Sequence, residues 1–275
     1  MTDNTGTREA VRERYASAAR RALNITSSGP SGCCGGADDP ITAGLYPDAE
    51  APAGAVAASL GCGNPTALID LHPGQDVLDL GSGGGLDVLL SARRVAPNGT
   101  AYGVDMTDEM LQLAEKHRRE AEVTNATFIR GTIENVPLPD HSVDVVISNC
   151  VINLSTDKDA VLREAFRVLR PGGRFAVSDI VLLRPLGPEW TSLMGLWTGC
   201  IAGALLDADY LTRLTAAGFG DASIQVTRTY SREDLIELAG QLPPHSLPVG
   251  LTEADAVDAL QGAFASAFIR AAKPA

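Results

Sequence analysis

Short apolar runs alternate with amphipathic stretches along the middle of the chain. The runs DVLDL, TAYGVD, ATFIRG, VDVVISN and RFAVSDI are typical of buried strands. The stretches between them, GGLDVLLSARRV, TDEMLQLAEKHRREA and TDKDAVLREAFRVLR, carry apolar residues at helical spacing. This alternation, which begins after Gly74, predicts an α/β fold with a mostly parallel sheet covered by helices on both faces.

The flanking segments differ from this pattern. Residues 7–23 are predicted to be helical, with Val11 and Tyr15 on a shared face, and the stretch NITSSGPSGCCGGADDP is predicted to be a loop. A helix is predicted to start at Asn64, which is followed by proline. Thr156 or Ser155 is expected to cap the helix that follows VDVVISN.

Toward the end of the chain, residues 186–217 are predicted to be mostly helical. ASIQVTRTY and AFASAFIRAAK are predicted to be closing strands around the helix SREDLIELAG. We therefore divide the chain into an N-terminal cap with thiol-bearing loops (1–65), a Rossmann-like core (66–182), and a helical segment with closing strands (183–275).

Composition narrows the classes of function. The chain has 275 residues and a net charge of −12, which argues against binding to nucleic acid or to an anionic membrane. Its apolar runs fall short of the roughly 20 residues that span a bilayer, and the N-terminus lacks a secretory signal. The cytoplasm is therefore expected, where thiols stay reduced. An odd count of 5 cysteines argues against a disulfide framework.

A glycine-rich turn links the first predicted strand to the first helix of the alternating region. In VLDLGSGGGLDV, Gly81, Gly83 and Gly85 allow the backbone to approach a ligand, and the helix start offers free N–H groups. Asp105 ends the next strand, 105 − 85 = 20 residues further on, where a carboxylate can accept hydrogen bonds from a ribose. A dinucleotide site needs glycine where this chain has Leu86, so that interpretation is weakened.

S-adenosylmethionine fits the turn better, because Asp79 could face the ammonium of its amino-acid end. The segments VLDLGSGGG, GVDMTDEML, GTIENVPLPDHSVDVVISN and LREAFRVLRPGGRF, over residues 76–180, resemble class I S-adenosylmethionine-dependent methyltransferases. The resemblance implies a Rossmann-like fold and a set of cofactor contacts. The contacts implied are Asp79, Gly81, Ser82, Gly83 and Gly85 for the methionyl part, Asp105 for the ribose, Met106, Ile133 and Glu134 for the adenine, and Asn149 near the methyl group.

Three cysteine-bearing segments indicate the substrate. AVAASLGCGNP, ISNCVINLS and MGLWTGCIAGAL look like those of arsenite S-adenosylmethionine methyltransferases, a match that extends over residues 53–182. The resemblance implies that Cys62, Cys150 and Cys200 bind trivalent arsenic, with Cys33 and Cys34 as further candidate thiols. It also implies arsenite and methylated trivalent arsenicals as substrates, and an external thiol reductant such as glutathione or thioredoxin.

The implied chemistry needs thiols and no base. Trivalent arsenic is soft and prefers thiolates, and its lone pair can attack a sulfonium methyl group without losing a proton. The histidines His72, His117, His141 and His245 are expected to be solvated at the surface.

Other interpretations remain open. Each cysteine alone could be a small core hydrophobe. The chain could methylate another small molecule, or it could bind arsenic through thiols without catalysis. Zinc binding lacks support, because no cysteine or histidine pair has finger spacing.

Overall fold

The computed structural model describes residues 4–24, 69–187, 190, 203–240, 247 and 252–275. Within these residues, strands form one mixed sheet and helices flank it. The strands are β1 (Val77–Leu80), β2 (Ala101–Asp105), β3 (Ala126–Arg130), β4 (Val143–Asn149), β5 (Leu169–Leu182), β6 (Leu205–Leu206), β7 (Gly220–Thr229) and β8 (Phe264–Ala272). The α-helices are α1 (Asn4–Asn24), α2 (Leu86–Val95), α3 (Asp108–Glu120), α4 (Lys158–Val168), α5 (Asp207–Ala216), α6 (Arg232–Gly240) and α7 (Glu253–Leu260).

The sheet has the order β3-β2-β1-β4-β5-β8-β7, and the short β6 pairs with β5. Strands β1 to β6 pair in parallel, whereas β8 runs antiparallel to both β5 and β7. The chain runs outward from β1 to β3 and then returns to place β4 on the other side of β1. Ligands of open α/β sheets bind at such a reversal, beyond the carboxyl ends of the strands.

Most of the predicted elements are confirmed, including the mostly parallel sheet. The predicted cap of α4 at Thr156 or Ser155 is wrong. The Asp157 side chain instead accepts a hydrogen bond from the Ala160 N–H at 2.9 Å. Helix α7 was not predicted, although Thr252 and Asp255 form a capping box at its start. The predicted helix at Asn64 and most of residues 186–202 lie outside the described residues.

Burial explains why the strands form where they do. All four residues of β1 are buried, and the apolar side chains of β4 and β5 pack beneath α4 and α5. Helix α1 packs on α3, where Ala19, Met110 and Leu113 form a small buried cluster with Tyr15 at its edge. This packing places the N-terminal helix beside the carboxyl ends of β1 and β2. No helix of the described part is long and apolar enough to cross a bilayer.

Candidate active site

The glycine-rich turn follows β1 directly. Gly81 and Gly85 have φ values of 74° and 86°, which other residues rarely adopt. A Cβ on Gly81 would collide with the side chain of Val151, and a Cβ on Gly85 would lie 2.7 Å from Cζ of Phe128. The glycines therefore let the turn approach both the chain after β4 and the side chain of Phe128 in β3.

Asp105, at the end of β2, holds this turn. Its Oδ2 accepts a hydrogen bond from the Gly83 N–H at 2.9 Å, and its Oδ1 accepts one from the Thr107 N–H at 2.8 Å. Burial raises the pKa of the Asp105 carboxyl, and the hydrogen bonds from Thr107 and Gly83 partly offset that rise. The carboxyl also lines the cleft above the turn, where its remaining lone pairs can accept from a ligand.

Asp79 lies beneath the turn and is almost completely buried, at 3% exposure. Within the described part of the chain, its Oδ1 has no hydrogen-bond partner, and the same is true of Ser82 Oγ. Burial raises the pKa of Asp79 well above its usual range, and repulsion from Asp87 and Asp105 adds to the rise. A buried carboxyl that is surrounded by other carboxyls is suited to a positively charged ligand group.

The cleft above the turn encloses about 670 Å³, which includes solvent at its mouth. It is lined by Arg8, Val11, Tyr15, Gly81, Gly83, Asp105, Met106, Thr107, Gly131, Thr132, Ile133, Glu134, Val151, Leu154, Ser155 and Thr156. The predicted contacts Met106, Ile133 and Glu134 thus all line the cleft. Glu134 Oε1 accepts a hydrogen bond from Ser155 Oγ at 2.6 Å and pairs with Arg8 Nη2 at 3.6 Å.

Helix α1 forms one wall of the cleft, and its residues were not predicted to belong to the site. Arg8, Val11 and Tyr15 face the cleft from this helix. The shared face of Val11 and Tyr15 was predicted, but helical spacing alone does not reveal what a face packs against. The packing of α1 on α3 places this face at the cleft.

Asn149 and Cys150 lie at the carboxyl end of β4, next to the reversal in strand order. The amide of Asn149 donates to Asp87 Oδ2 at 3.3 Å, and Asn149 is not among the residues that line the cleft. Cys150 is 2% exposed and has a φ of 59°, a left-handed conformation that is uncommon outside glycine. Its N–H donates to the Ser178 carbonyl at 2.9 Å, which ties this turn to β5.

The surroundings of the Cys150 sulfur are apolar. It packs in a buried cluster with Ile180, Tyr230, Leu235, Val257, Leu260, Ala263 and Phe264. Cys150 is disulfide-bonded in this structure. Cys33, Cys34, Cys62 and Cys200 all fall outside the described residues, so the convergence of Cys62 and Cys200 with Cys150 on one arsenic atom stays a prediction, as does the accessory role of Cys33 and Cys34.

The prediction that the histidines lie at the surface is wrong for one of them. His72 is exposed, as expected, but His117 is buried at 3% exposure, and its Nδ1 lies 2.8 Å from the Gly84 carbonyl. His141 is exposed, as expected, and its Nδ1 lies 3.0 Å from Lys273 Nζ. His245 is outside the described residues. Where side chains are described, no group of three or more His, Cys, Asp and Glu residues could hold a metal ion.

The fold and the cleft together define the class I methyltransferases: a parallel sheet with a reversal between β1 and β4, a glycine-rich turn after β1 and an acidic residue ending β2. A family model described as a methyltransferase domain matches residues 71–218. An arsenite methyltransferase of Halobacterium salinarum is 41% identical over 79% of this chain and 58% of its own length. One from Aquipseudomonas alcaligenes is 34% identical over 91% of this chain and 73% of its own length.

A solved structure is also similar. CrArsM, an arsenic(III) S-adenosylmethionine methyltransferase from Chlamydomonas reinhardtii, superimposes with a TM-score of 0.60 and 31% identity over 93% of this chain and 72% of its own. The chain therefore belongs to the arsenite methyltransferase family, and residues 71–218 match a methyltransferase domain. It spans 58% of the length of the Halobacterium relative and 73% of the Aquipseudomonas one.

Proposed function

We propose that this chain transfers the methyl group of S-adenosylmethionine to trivalent arsenic held by cysteine thiolates. The observation that carries the proposal is the position of Cys150. It lies at the carboxyl end of β4, buried, and Val151 next to it packs against Gly81 of the glycine-rich turn. The proposed arsenic ligand is therefore next in sequence to a residue that contacts the turn that would hold the methyl donor. The names of the relatives support arsenite as the substrate.

The charges beneath the turn fit S-adenosylmethionine better than a dinucleotide. Asp79 has a buried carboxyl oxygen that no described residue hydrogen-bonds, and it lies next to two more carboxyls, a setting that suits an ammonium better than a phosphate. The start of α2 offers N–H groups for the cofactor carboxylate, and Asp105 offers acceptors for the ribose hydroxyls. Met106, Ile133 and Glu134, which line the cleft, are suited to the adenine. Bound S-adenosylmethionine would supply an electrophilic methyl group on a sulfonium.

Cys150 would act as one arsenic ligand, with Cys62 and Cys200 as the others. Three thiolates leave trivalent arsenic pyramidal, with a lone pair on its open side. The lone pair forms an arsenic–carbon bond while the carbon–sulfur bond of the sulfonium breaks, and the electrons of that bond stay on sulfur. No proton leaves the nucleophile, so the chain needs no general base. Its residues contribute position and the exclusion of water.

The disulfide at Cys150 implies a reductant. Only a thiolate can bind arsenic, so the disulfide must first accept two electrons, which two external thiols would supply as they become a disulfide themselves. Glutathione or a thioredoxin has the required chemistry. Such a cycle suits the cytoplasm, where these thiols are kept reduced.

Product analysis tests this function. The protein is mixed with methyl-labelled S-adenosylmethionine, arsenite and a thiol, and we expect labelled methylarsenicals together with S-adenosylhomocysteine. Turnover without arsenite dependence would instead favour the methylation of another small molecule. Cofactor and arsenite binding without any turnover would favour a thiol-based arsenic-binding protein.

A further inference from the structure

The carbonyl of Gly84 is one of the points at which the glycine-rich turn is held in place. Gly83 donates its N–H to Asp105, and the Gly85 N–H donates to the Ser82 carbonyl at 2.8 Å. Between these bonds, His117 Nδ1 lies 2.8 Å from the Gly84 carbonyl. The peptide that joins Gly84 to Gly85 is therefore held at both its C=O and its N–H.

His117 is well placed to hold this carbonyl rigidly. It lies in the last turn of α3, on the same buried face as Met110, Leu113 and Ala114. A carbonyl oxygen can only accept, so Nδ1 must carry a hydrogen, and this requirement sets the tautomer of the neutral ring. A buried imidazole has few rotamers available, so the donor is presented in one direction.

The direction of this carbonyl matters for a ligand. Gly84 and Gly85 have no Cβ, so steric hindrance does little to prevent the peptide between them from rotating. If it rotated, the oxygen of Gly84 would turn away from α3, and the Gly85 N–H would lose its bond to Ser82. Gly85 is also the residue that precedes α2. The free N–H groups at the start of that helix depend on its conformation.

We propose that His117 is a positioning residue for the methyl donor: it holds the Gly84 carbonyl toward α3, so that the turn presents N–H groups to the carboxylate of S-adenosylmethionine. The inference rests on the proposed use of that cofactor. His117 acts through the turn and does not line the cleft.

Two amide substitutions separate positioning from packing. Asparagine places its side-chain nitrogen close to the position of Nδ1, whereas glutamine places its nitrogen nearer to Nε2. We expect His117→Asn to keep the affinity for S-adenosylmethionine within about twofold of the original, because one donor is retained. We expect His117→Gln and His117→Ala to weaken it by about fivefold or more.

The readouts are calorimetric titration with S-adenosylmethionine and the melting temperature of each cofactor-free variant. If His117 served only to fill space, the affinity for S-adenosylmethionine would follow side-chain volume. His117→Gln would then bind at least as well as His117→Asn, and that result would overturn the proposal. Unchanged affinity in a folded His117→Ala variant would also overturn it. If the original protein binds no S-adenosylmethionine, the proposed function fails as well. If it binds, but His117→Asn and His117→Gln have the same affinity, only the role of His117 is rejected.

Discussion

The side-chain amide of Asn153 donates to Asp179 Oδ1 at 2.7 Å and to the Ile180 carbonyl at 2.8 Å. Both Asn153 and Asp179 are buried, in the short helical turn after Cys150 and in β5 respectively. Together with the bond from the Cys150 N–H to the Ser178 carbonyl, these contacts hold the Cys150 turn against β5 at two points. The turn that carries the proposed arsenic ligand is therefore stabilised from the sheet.

Removing the Asn153 amide should destabilise the protein. Asn153→Ala removes the two buried hydrogen bonds that the amide donates to β5, and we expect the free energy of unfolding to fall by about 1–3 kcal/mol. Denaturant titration measures the change. The exposed Asn98 is the matched control, since Asn98→Ala should alter the free energy by less than about 0.5 kcal/mol. Equal effects at both positions would contradict the role of Asn153.

Asp179 should make stability dependent on pH. Burial raises the pKa of its carboxyl from 3.8 to about 8, and none of the described residues hydrogen-bonds its Oδ2. As pH rises, the unfolded chain loses this proton first, so the carboxyl lowers stability by up to about 1.4 kcal/mol per pH unit between roughly pH 4 and pH 8. Above that range its contribution is constant.

Asp179→Asn tests this dependence, because the amide resembles a carboxyl that never loses its proton. The variant should show a smaller fall in the free energy of unfolding between pH 5 and pH 8 than the original protein, and it should be the more stable of the two at pH 8. Parallel pH profiles for the two proteins would show that Asp179 is ionised throughout this range.

Cofactor binding should release a proton from Asp79. The raised pKa of this carboxyl in the free protein falls when an ammonium binds beside it, so affinity for S-adenosylmethionine should increase with pH. Asp79→Asn should bind about tenfold more weakly and with a shallower pH dependence. Calorimetry in two buffers of different ionisation enthalpy counts the protons released. Identical proton release by both proteins would assign the linkage to another group.

Helix α1 should contribute to cofactor affinity through one face only. Tyr15 lines the cleft and packs beside Met110, whereas Arg14 is exposed. Tyr15→Ala should weaken the binding of S-adenosylmethionine by about fivefold or more, through lost apolar contact. Arg14→Ala on the same helix should leave it unchanged within about twofold. A variant of Tyr15 that binds normally would mean that the cofactor does not reach α1.

Cys150 should be required for methyl transfer but not for cofactor binding. Serine is a hard, protonated oxygen at neutral pH, so Cys150→Ser should abolish the methylation of arsenite while calorimetry still detects S-adenosylmethionine. The double change Cys33→Ser with Cys34→Ser is the comparison: it should retain activity on a monomethylated trivalent arsenical, which has two positions left for thiols. Arsenite methylation at a normal rate by Cys150→Ser would move the arsenic site elsewhere.

Local patterns in the sequence predicted the sheet, most helices and the glycine-rich turn correctly. Strands β1 and β4 are apolar runs because both of their faces are buried, and that requirement is visible in the residues themselves. The cap of α4 was misassigned among three neighbouring polar residues, because Ser155, Thr156 and Asp157 all suit a helix start. Only the local backbone decides that Asp157 reaches the Ala160 N–H.

The sequence by itself determined the family, the parallel core and the types of residue at the glycine-rich turn, since these depend on neighbours along the chain. Only the tertiary structure decided that α1 lines the cleft, that His117 is buried behind Gly84, and that Asp79 is a buried carboxyl near Asp87 and Asp105. Each of these facts concerns groups that are brought together by packing. The burial of a polar side chain, and hence its pKa and its partners, depends on what packs over it, which no local pattern specifies.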